Sequence, residues 1–460
     1  MLDILKNKID KIKEEYSDIR WEDNYLTRIV YSGKELKYIG SSLMSGGHIR
    51  VLCNGGIGTN SFNNINNLDK YIDISSKAAK IMSTNTGKKI KLSPYNPVVD
   101  KITVKPKIDP RDISLEDKHD LVKKYNELIL SYEGIKTTNI SYIERLNKKL
   151  FVNNEGSILE QEELFVYLGC GITARSGNII QSISLGFGAS DDYSKLLNRD
   201  EEIKKAVENV LKLVKAKPVK AGIYTAILNN DMTGVFIHEA FGHLSEADIT
   251  QRNKDLREKM LIGKRIGKPI LNIIDDSTIP GAPGTFYYDD DGVKGQKTYL
   301  VRDGILVGRL HSRETATDFN EPITGNSRAV DYKFSPIVRM SNIFIDNGTS
   351  SLDDLISSVK HGIYLIDSKG GQTIGDQFSF GAQYGYMIEN GKITEMVRDI
   401  NVSGNLFETL ENISGIGNDL KISEKGGCGK SGGDGGQLMY KSGYGGPHIR
   451  VDKVIIGGIN

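Results

Sequence analysis

Cysteine, tryptophan and histidine are scarce in this chain of 460 residues, which holds three, one and seven of them. The thiols Cys53, Cys170 and Cys428 are odd in number and far apart, which argues against a disulfide framework and fits a reducing, cytoplasmic location. No apolar run approaches the ~20 residues that a membrane-spanning helix needs. The first residues, Met1-Leu-Asp-Ile-Leu-Lys, are charged from the third position and lack the apolar core of a signal peptide. An excess of charge of one sign is missing too. There are 60 basic and 59 acidic residues, a net charge of +1, so no strong field draws nucleic acid or an anionic membrane. What remains is ordinary for a globular protein: 38% hydrophobic and 26% charged, with length for two or three domains with cores of their own. Glycine is abundant at 50 residues and crowds towards the carboxy terminus.

The periodicity alternates between helical and extended stretches. Leu2, Leu5, Ile9 and Ile12 predict a core-facing helix over 2–16. Strands are expected at 19–21 and 26–31, and from Gly46 into the glycine turn ending at Gly58. Residues 65–86 read as a helix, and the proline- and lysine-rich segment from Lys89 to Pro110 as a linker or long loop. Ser114-Leu-Glu-Asp117 is a capping box that opens a helix ending at Gly134, with His119 on its exposed face. From Thr137 to Phe187 alternation with turns at Asn153–Gly156 and Arg175–Gly177 predicts an antiparallel meander. A helix over 200–216 then ends before Pro218. Beyond Pro269 strands dominate, with hairpin turns at Asp303-Gly304 and Asn390-Gly391 and a short helix over 352–361 closed by Gly362. Grouped helices and hairpin-paired strands indicate an α+β fold with largely antiparallel sheets, packed helices and two major domains. The main boundary is expected near 215, giving 1–215, with a sub-boundary near 90–112, and 216–460.

The stretch from Asp231 to Asp248 contains His238-Glu239-Ala-Phe-Gly-His243. Imidazole is the commonest ligand of zinc-class metals, and a glutamate beside such a site is the usual general base of metal-assisted hydrolysis. The spacing departs from H-E-x-x-H. Histidines five apart lie roughly 140° around an ideal helix, so they meet on one ion only if the helix deforms. A π-bulge does this, as does local unwinding at Gly242, which has no Cβ. Asn230 or Asp231 is the expected cap of this helix. The competing reading is two unrelated polar residues on an amphipathic helix.

A third ligand is offered by Cys428 in Gly426-Gly-Cys428-Gly-Lys-Ser-Gly-Gly-Asp-Gly436. A cysteine among glycines on a loop is unlike a packed core thiol such as Cys170, and zinc accepts thiolate beside imidazole. The alternative is a free surface thiol. Gly429-Lys430-Ser431 resembles the end of a P-loop, but Glu424 occupies the position of the required first glycine. Asp289-Asp-Asp-Gly292 resembles a calcium loop with Tyr287 in place of the first ligand, and reads better as an acidic turn. His48, His311, His361 and His448 have no ligand pattern and read as structural.

Taken together these residues resemble the TldD/PmbA family, specifically its TldD-type metallopeptidase subunit. The resemblance spans nearly the whole chain. It rests on Tyr16-Ser-Asp-Ile-Arg20, Gly47-His-Ile-Arg-Val51, His238-Glu-Ala-Phe-Gly-His243 with Glu246-Ala-Asp248, Ile274-Asp-Asp276 and Asp290-Asp-Gly292. Thr324-Gly-Asn326, Arg339-Met-Ser-Asn342, Cys428-Gly-Lys430 and Val454-Ile-Ile-Gly-Gly458 complete it. It implies a cytoplasmic metallopeptidase acting on small or unfolded peptides, with His238, His243 and Cys428 holding zinc or iron and Glu239 as catalytic acid and base. It also implies a dimer with an inactive PmbA/TldE-type paralogue or with a second copy. The substrate would lie in a narrow cavity of that dimer, to which residues 1–215 contribute, and the partners would include no nucleic acid or membrane. One departure stands out. The family continues its cysteine motif as C-G-K-x-G-Q, whereas Ser431-Gly-Gly-Asp-Gly-Gly precedes Gln437 here. The rival reading is a catalytically inert metal-binding or regulatory partner of the gyrase-modulator type. A closed four-ligand site would favour the rival, and an open site the peptidase.

Overall fold

The computed structural model describes residues 1–85, 87, 89–432 and 435–457. Thr86 of the expected helix over 65–86, Gly433 and Asp434 of the departing loop, and Gly458 of the closing motif lie outside the described residues. The amino-terminal half is built on a seven-stranded sheet. Its strands are β1 (Tyr16–Ser32), β2 (Glu35–Cys53), β3 (Gly56–Phe62), β4 (Val99–Ile102), β5 (Ile135–Asn153), β6 (Ile158–Ser176) and β7 (Ile179–Ser190), in the order β3-β2-β1-β5-β6-β4, with β7 also on β6. All pairings are antiparallel except β4 on β6. The meander from β5 to β7 is as the alternation predicts. The segment expected to be a linker supplies β4. The opening helix stops at Ile9 because Tyr16 already starts β1.

Successive side chains of a strand face opposite ways, and β1 uses both faces. Ile19 and Trp21 enter an apolar core with Ile49, Val51 and Phe62. Asp18, Arg20, Glu22 and Asn24 enter a buried polar seam against the second half of the chain. In that seam Arg20 pairs with Asp290 at 3.3 Å, Arg50 with Asp291 at 2.7 Å, and Lys149 with Asp290 at 3.3 Å. The acidic turn Asp289–Asp291 is therefore a buried plug. Burial pushes the Asp290 carboxyl up, but Lys149 and Arg20 outweigh it and hold the group well below the usual carboxylate range. His119, expected on an exposed face, is instead half-buried, with its ring nitrogen 2.7 Å from the Tyr31 hydroxyl.

The carboxy-terminal half holds two further large sheets and two two-stranded ribbons among the described residues. In the larger, Gly222–Leu228, Ile449–Gly457, Ile400–Asn405, Gln377–Glu389 and His361–Ile374 pair in sequence, and the last pairs with both Gln377–Glu389 and Gly222–Leu228, so the strands form a closed ring. The smaller sheet centres on Ile273–Asp276, Asn342–Ile345 and Gly443–Gly446. Asp303-Gly304 and Asn390-Gly391 form the expected hairpin turns, each with positive φ at both residues. The short helix covers only Leu352–Ser357, and Gly362 lies in a strand rather than closing it.

The histidine-bearing helix lies between these sheets. Met232, Phe236, Ile237, Ala240 and Phe241 enter one core with Ile273, Ile343, Phe378 and Phe380. Burying the four larger of these side chains contributes roughly 8 kcal/mol gross at ~2 kcal/mol each. That exceeds the ~1–3 kcal/mol an irregular backbone segment costs. Packing can thus hold this helix in a distorted form.

Candidate metal centre

The helix begins with Asn229 as its cap, the side chain accepting from the Met232 amide at 3.0 Å. This corrects the expectation of Asn230 or Asp231. The amide of Asn230 donates to the Asp419 and Gly446 carbonyls, and the Asp231 carboxylate is taken by Ser368, Ser423 and Lys425. Regular α-helix runs from Asn230 to Phe236 and becomes a π-helical turn over Ile237–Gly242. The extra residue in the turn carries His243 round to His238, and the two rings stand edge to face with centroids 5.3 Å apart.

Of the two remedies available to the sequence, the π-turn operates and unwinding at Gly242 does not. Gly242 has ordinary helical angles, φ −58 and ψ −48. It is glycine because a Cβ there would stand 2.1 Å from Met340 Sδ. We expect Gly242→Ala to destabilise the fold by about 1–3 kcal/mol through overpacking, measured by urea unfolding. In a Met340→Ala background the same substitution should cost clearly less, and an equal cost would refute the steric account.

Cys428 reaches the helix from a different part of the chain. It is the first residue of a two-stranded ribbon, Cys428–Gly432 against Gly435–Met439, and so is not on the irregular loop expected from its glycine neighbours. Ser431 and Gly432 pair with Gly436 and Gly435 to lengthen this ribbon, and Lys430 pairs opposite Gln437. Arg339, fully buried, ties the two strands by donating to the Cys428 carbonyl at 2.6 Å and the Gln437 carbonyl at 3.0 Å.

The donor atoms of His238, His243 and Cys428 all lie within 4.8 Å of one another, and Cys428 Sγ is 3.4 Å from His243 Nε2. Tetrahedral nitrogen and sulfur ligands at ordinary zinc bond lengths stand about 3.5 Å apart, so the donor set fits such an ion. His238 is 2% exposed, and neither ring nitrogen has a hydrogen-bond partner of normal geometry. An unsatisfied buried polar group costs roughly 1–3 kcal/mol, which coordination would relieve. Burial pushes the Cys428 thiol up, but His238 and His243 outweigh it and hold it well below the ordinary thiol value, favouring thiolate.

A second layer orients these donors. Glu246 is wholly buried, and its Oε2 lies 3.0 Å from His243 Nδ1, which leaves Nε2 for the thiolate side. The same oxygen is 3.0 Å from Lys430 Nζ, which also meets Asp248 at 2.7 Å and donates to the Val338 carbonyl at 2.8 Å. Burial lowers the basicity of His243, but Glu246 and then Cys428 outweigh it and hold the imidazole well above its ordinary value. The sequence reading left Glu246, Asp248, Lys430, Arg339 and Met340 without roles. The three-residue step from His243 to Glu246 was the available signal for one of them.

Glu239 faces away from the core into an open cleft of about 460 Å³, shared with His243 and Lys430 on one side and the hairpin residues Gly371, Gln372 and Thr373 on the other. His48, His311, His361 and His448 stand elsewhere, each engaged by a hydroxyl or carboxylate: Ser61, Glu321, Glu389 and Asp419.

Three family descriptions match in succession. They are PmbA/TldA metallopeptidase domain 1 over 17–79, the central domain over 108–217 and the C-terminal domain over 221–458. A metalloprotease of Synechocystis sp. is 37% identical over 449 residues, covering 96% of this chain and 95% of that one. A zinc metalloprotease TldD homolog of Saccharolobus solfataricus is 29% identical over 98% of both chains. In fold, TldE from Thermococcus kodakarensis superposes with a TM-score of 0.78 at 18% identity, covering 99% of this chain and 100% of that one. No helix among the described residues is long and apolar enough to cross a membrane.

Proposed function

This chain belongs to the PmbA/TldD metallopeptidase family, and from that membership we propose that it is a zinc peptidase whose ion is held by His238, His243 and Cys428 and whose acid and base is Glu239. The observation that carries the reading is the convergence of three donors on a buried imidazole with no other partner. When bound, the ion supplies a Lewis acid that acidifies water and polarises a peptide carbonyl. Glu239 removes the proton from the attacking water and returns it to the leaving amine. Glu246 keeps His243 in the tautomer that presents Nε2, and Arg339 holds the Cys428 ribbon in place.

The substrate we propose is a small or unfolded peptide lying extended in the Glu239 cleft. The glycine-containing hairpin opposite offers backbone groups, and recognition through backbone groups tolerates many sequences. The second subunit in this proposal is a PmbA/TldE-type relative or another copy of the chain. Residues 1–215 would contribute to the dimer and its substrate cavity, and residues 216–460 would form the peptidase domain. Three unpaired cysteines support the cytoplasm as the place of action.

The test is metal content by mass spectrometry on the wild type and on Cys428→Ala. We expect about one ion per chain in the wild type, identified as zinc rather than iron, and little in the variant. Wild-type protein that stays metal-free after zinc is resupplied would refute the assignment.

A further inference from the structure

Two adjoining cavities lie between β6 and the carboxy-terminal half, away from the Glu239 cleft. One is small, about 40 Å³, and the other holds about 300 Å³; Glu163, Phe165 and Lys441 are walls of both. The charge of the small cavity is one-sided, whereas Glu162, Glu163 and Asp191 face Lys105 and Lys441 in the larger. Arg145, Lys149, Arg328 and Lys441 line the small cavity against the single carboxylate of Glu163. Lys149 is answered by Glu163 at 3.4 Å and Asp290 at 3.3 Å. The other three cations have no carboxylate in an ion pair among the described residues. Arg145 lies over the Tyr440 ring at 4.9 Å. Arg328 lies over Phe286 at 4.6 Å and donates to the Met340 and Lys441 carbonyls. Glu163 is the one carboxylate of this wall and attracts Lys441 and Arg328 from beyond ion-pair distance, so cations outnumber anions here and favour binding an anion from outside.

The wall of the small cavity also holds a buried acceptor. Asn147 is 7% exposed; its amide nitrogen donates to Glu22 at 3.2 Å, and its oxygen has no partner. A ligand that suits this wall therefore carries a carboxylate and an N–H close together, as the last residue of a peptide does. Phe165 and Tyr440, with ring centroids 6.0 Å apart, add an aromatic surface for a side chain. The place also relates to the chemistry. Met439 pairs directly opposite Cys428, and Lys441 follows two residues later, at most about 7 Å of chain beyond it.

Resting on the peptidase reading, we propose that Arg145, Arg328, Lys441 and Asn147 form a subsite that takes the carboxylate of a peptide substrate, its free carboxy terminus being the source that the Asn147 acceptor favours. The subsite would anchor short peptides by their ends and set how many residues separate that end from the scissile bond.

The experiment measures binding by fluorescence anisotropy with full-length, zinc-loaded Glu239→Gln protein, which prevents turnover. The probes are three amino-terminally labelled pentapeptides: pentaalanine acid, pentaalanine amide, and the amide with glutamate at its centre. We expect the acid to bind about tenfold more tightly than the plain amide, a ratio that falls with salt. Lys441→Met and, separately, Arg145→Met should bring the ratio to within about twofold. A gain for the glutamate peptide instead of the acid would keep the subsite and assign it to acidic side chains. Equal binding of all three, or a preference that survives both substitutions, would overturn it. The wild-type enzyme with the plain amide separates the two levels. Cleavage of the amide without any gain for the acid removes the subsite alone. An amide neither bound nor cleaved removes the peptidase reading and the subsite with it.

Discussion

Glu239→Gln is expected to lower peptide hydrolysis by about 10²–10⁴-fold while leaving the metal content of the protein unchanged. The two effects separate because Glu239 lies outside the donor set. It opens into the cleft, whereas His238, His243 and Cys428 meet on the helix and ribbon behind it. Glutamine keeps the size and polarity of the side chain and removes only the ability to take up a proton. Metal analysis and a peptide-cleavage assay on one preparation decide the matter. Undiminished hydrolysis would rule out Glu239 as the base, and loss of metal along with activity would make it a part of the ion's site instead.

The second large effect is expected at Glu246, which touches no substrate. Its carboxylate is wholly buried, faces His243 and Lys430 at 3.0 Å each, and accepts from the Met340 amide at 3.2 Å. Glu246→Ala removes one partner of a buried charge cluster, leaving Lys430 with Asp248 and the Val338 carbonyl and His243 without its orienting acceptor. We expect a loss of about 3–5 kcal/mol in stability. Metal affinity should fall by about 10–100-fold, read by competition with a chelator. Glu246→Gln keeps an acceptor for the Met340 amide and should fall between the two. Burial pushes the Glu246 carboxyl up, but Lys430 and His243 outweigh it and hold it well below its ordinary value of 4.5. The sign follows from that direction: the stability contributed is complete above the ordinary carboxylate range and is lost as pH falls and the group is protonated. An alanine variant with unchanged metal affinity would show that His243 is oriented by packing alone.

The Glu246 case marks where sequence reasoning stops. Local patterns report short-range geometry, so the helix cap at Ser114, the hairpin turns at Asp303 and Asn390, and the meander from β5 to β7 were all legible, although the reciprocal backbone bond of a full capping box at Ser114 is not formed. The five-residue histidine spacing was itself a statement that the helix is irregular. Residue types pointed to the metal chemistry proposed here, since two imidazoles, a carboxylate and an isolated thiol suit few other tasks.

The tertiary structure decided what depends on residues distant in the chain. Gly242 is explained by Met340, Cys428 stands on a ribbon clasped by Arg339, and Asp289–Asp291 is a buried plug because Arg20, Arg50 and Lys149 arrive from the first sheet. None of these partners leaves a local periodicity. An ion pair or a steric stop needs only proximity in space, and many sequence separations supply it equally well. The three residues that converge, and the metal chemistry proposed for them, were therefore readable from the chain itself. The shell that orients them, and the excess of cations near Lys441, came into view only once the two halves were packed together.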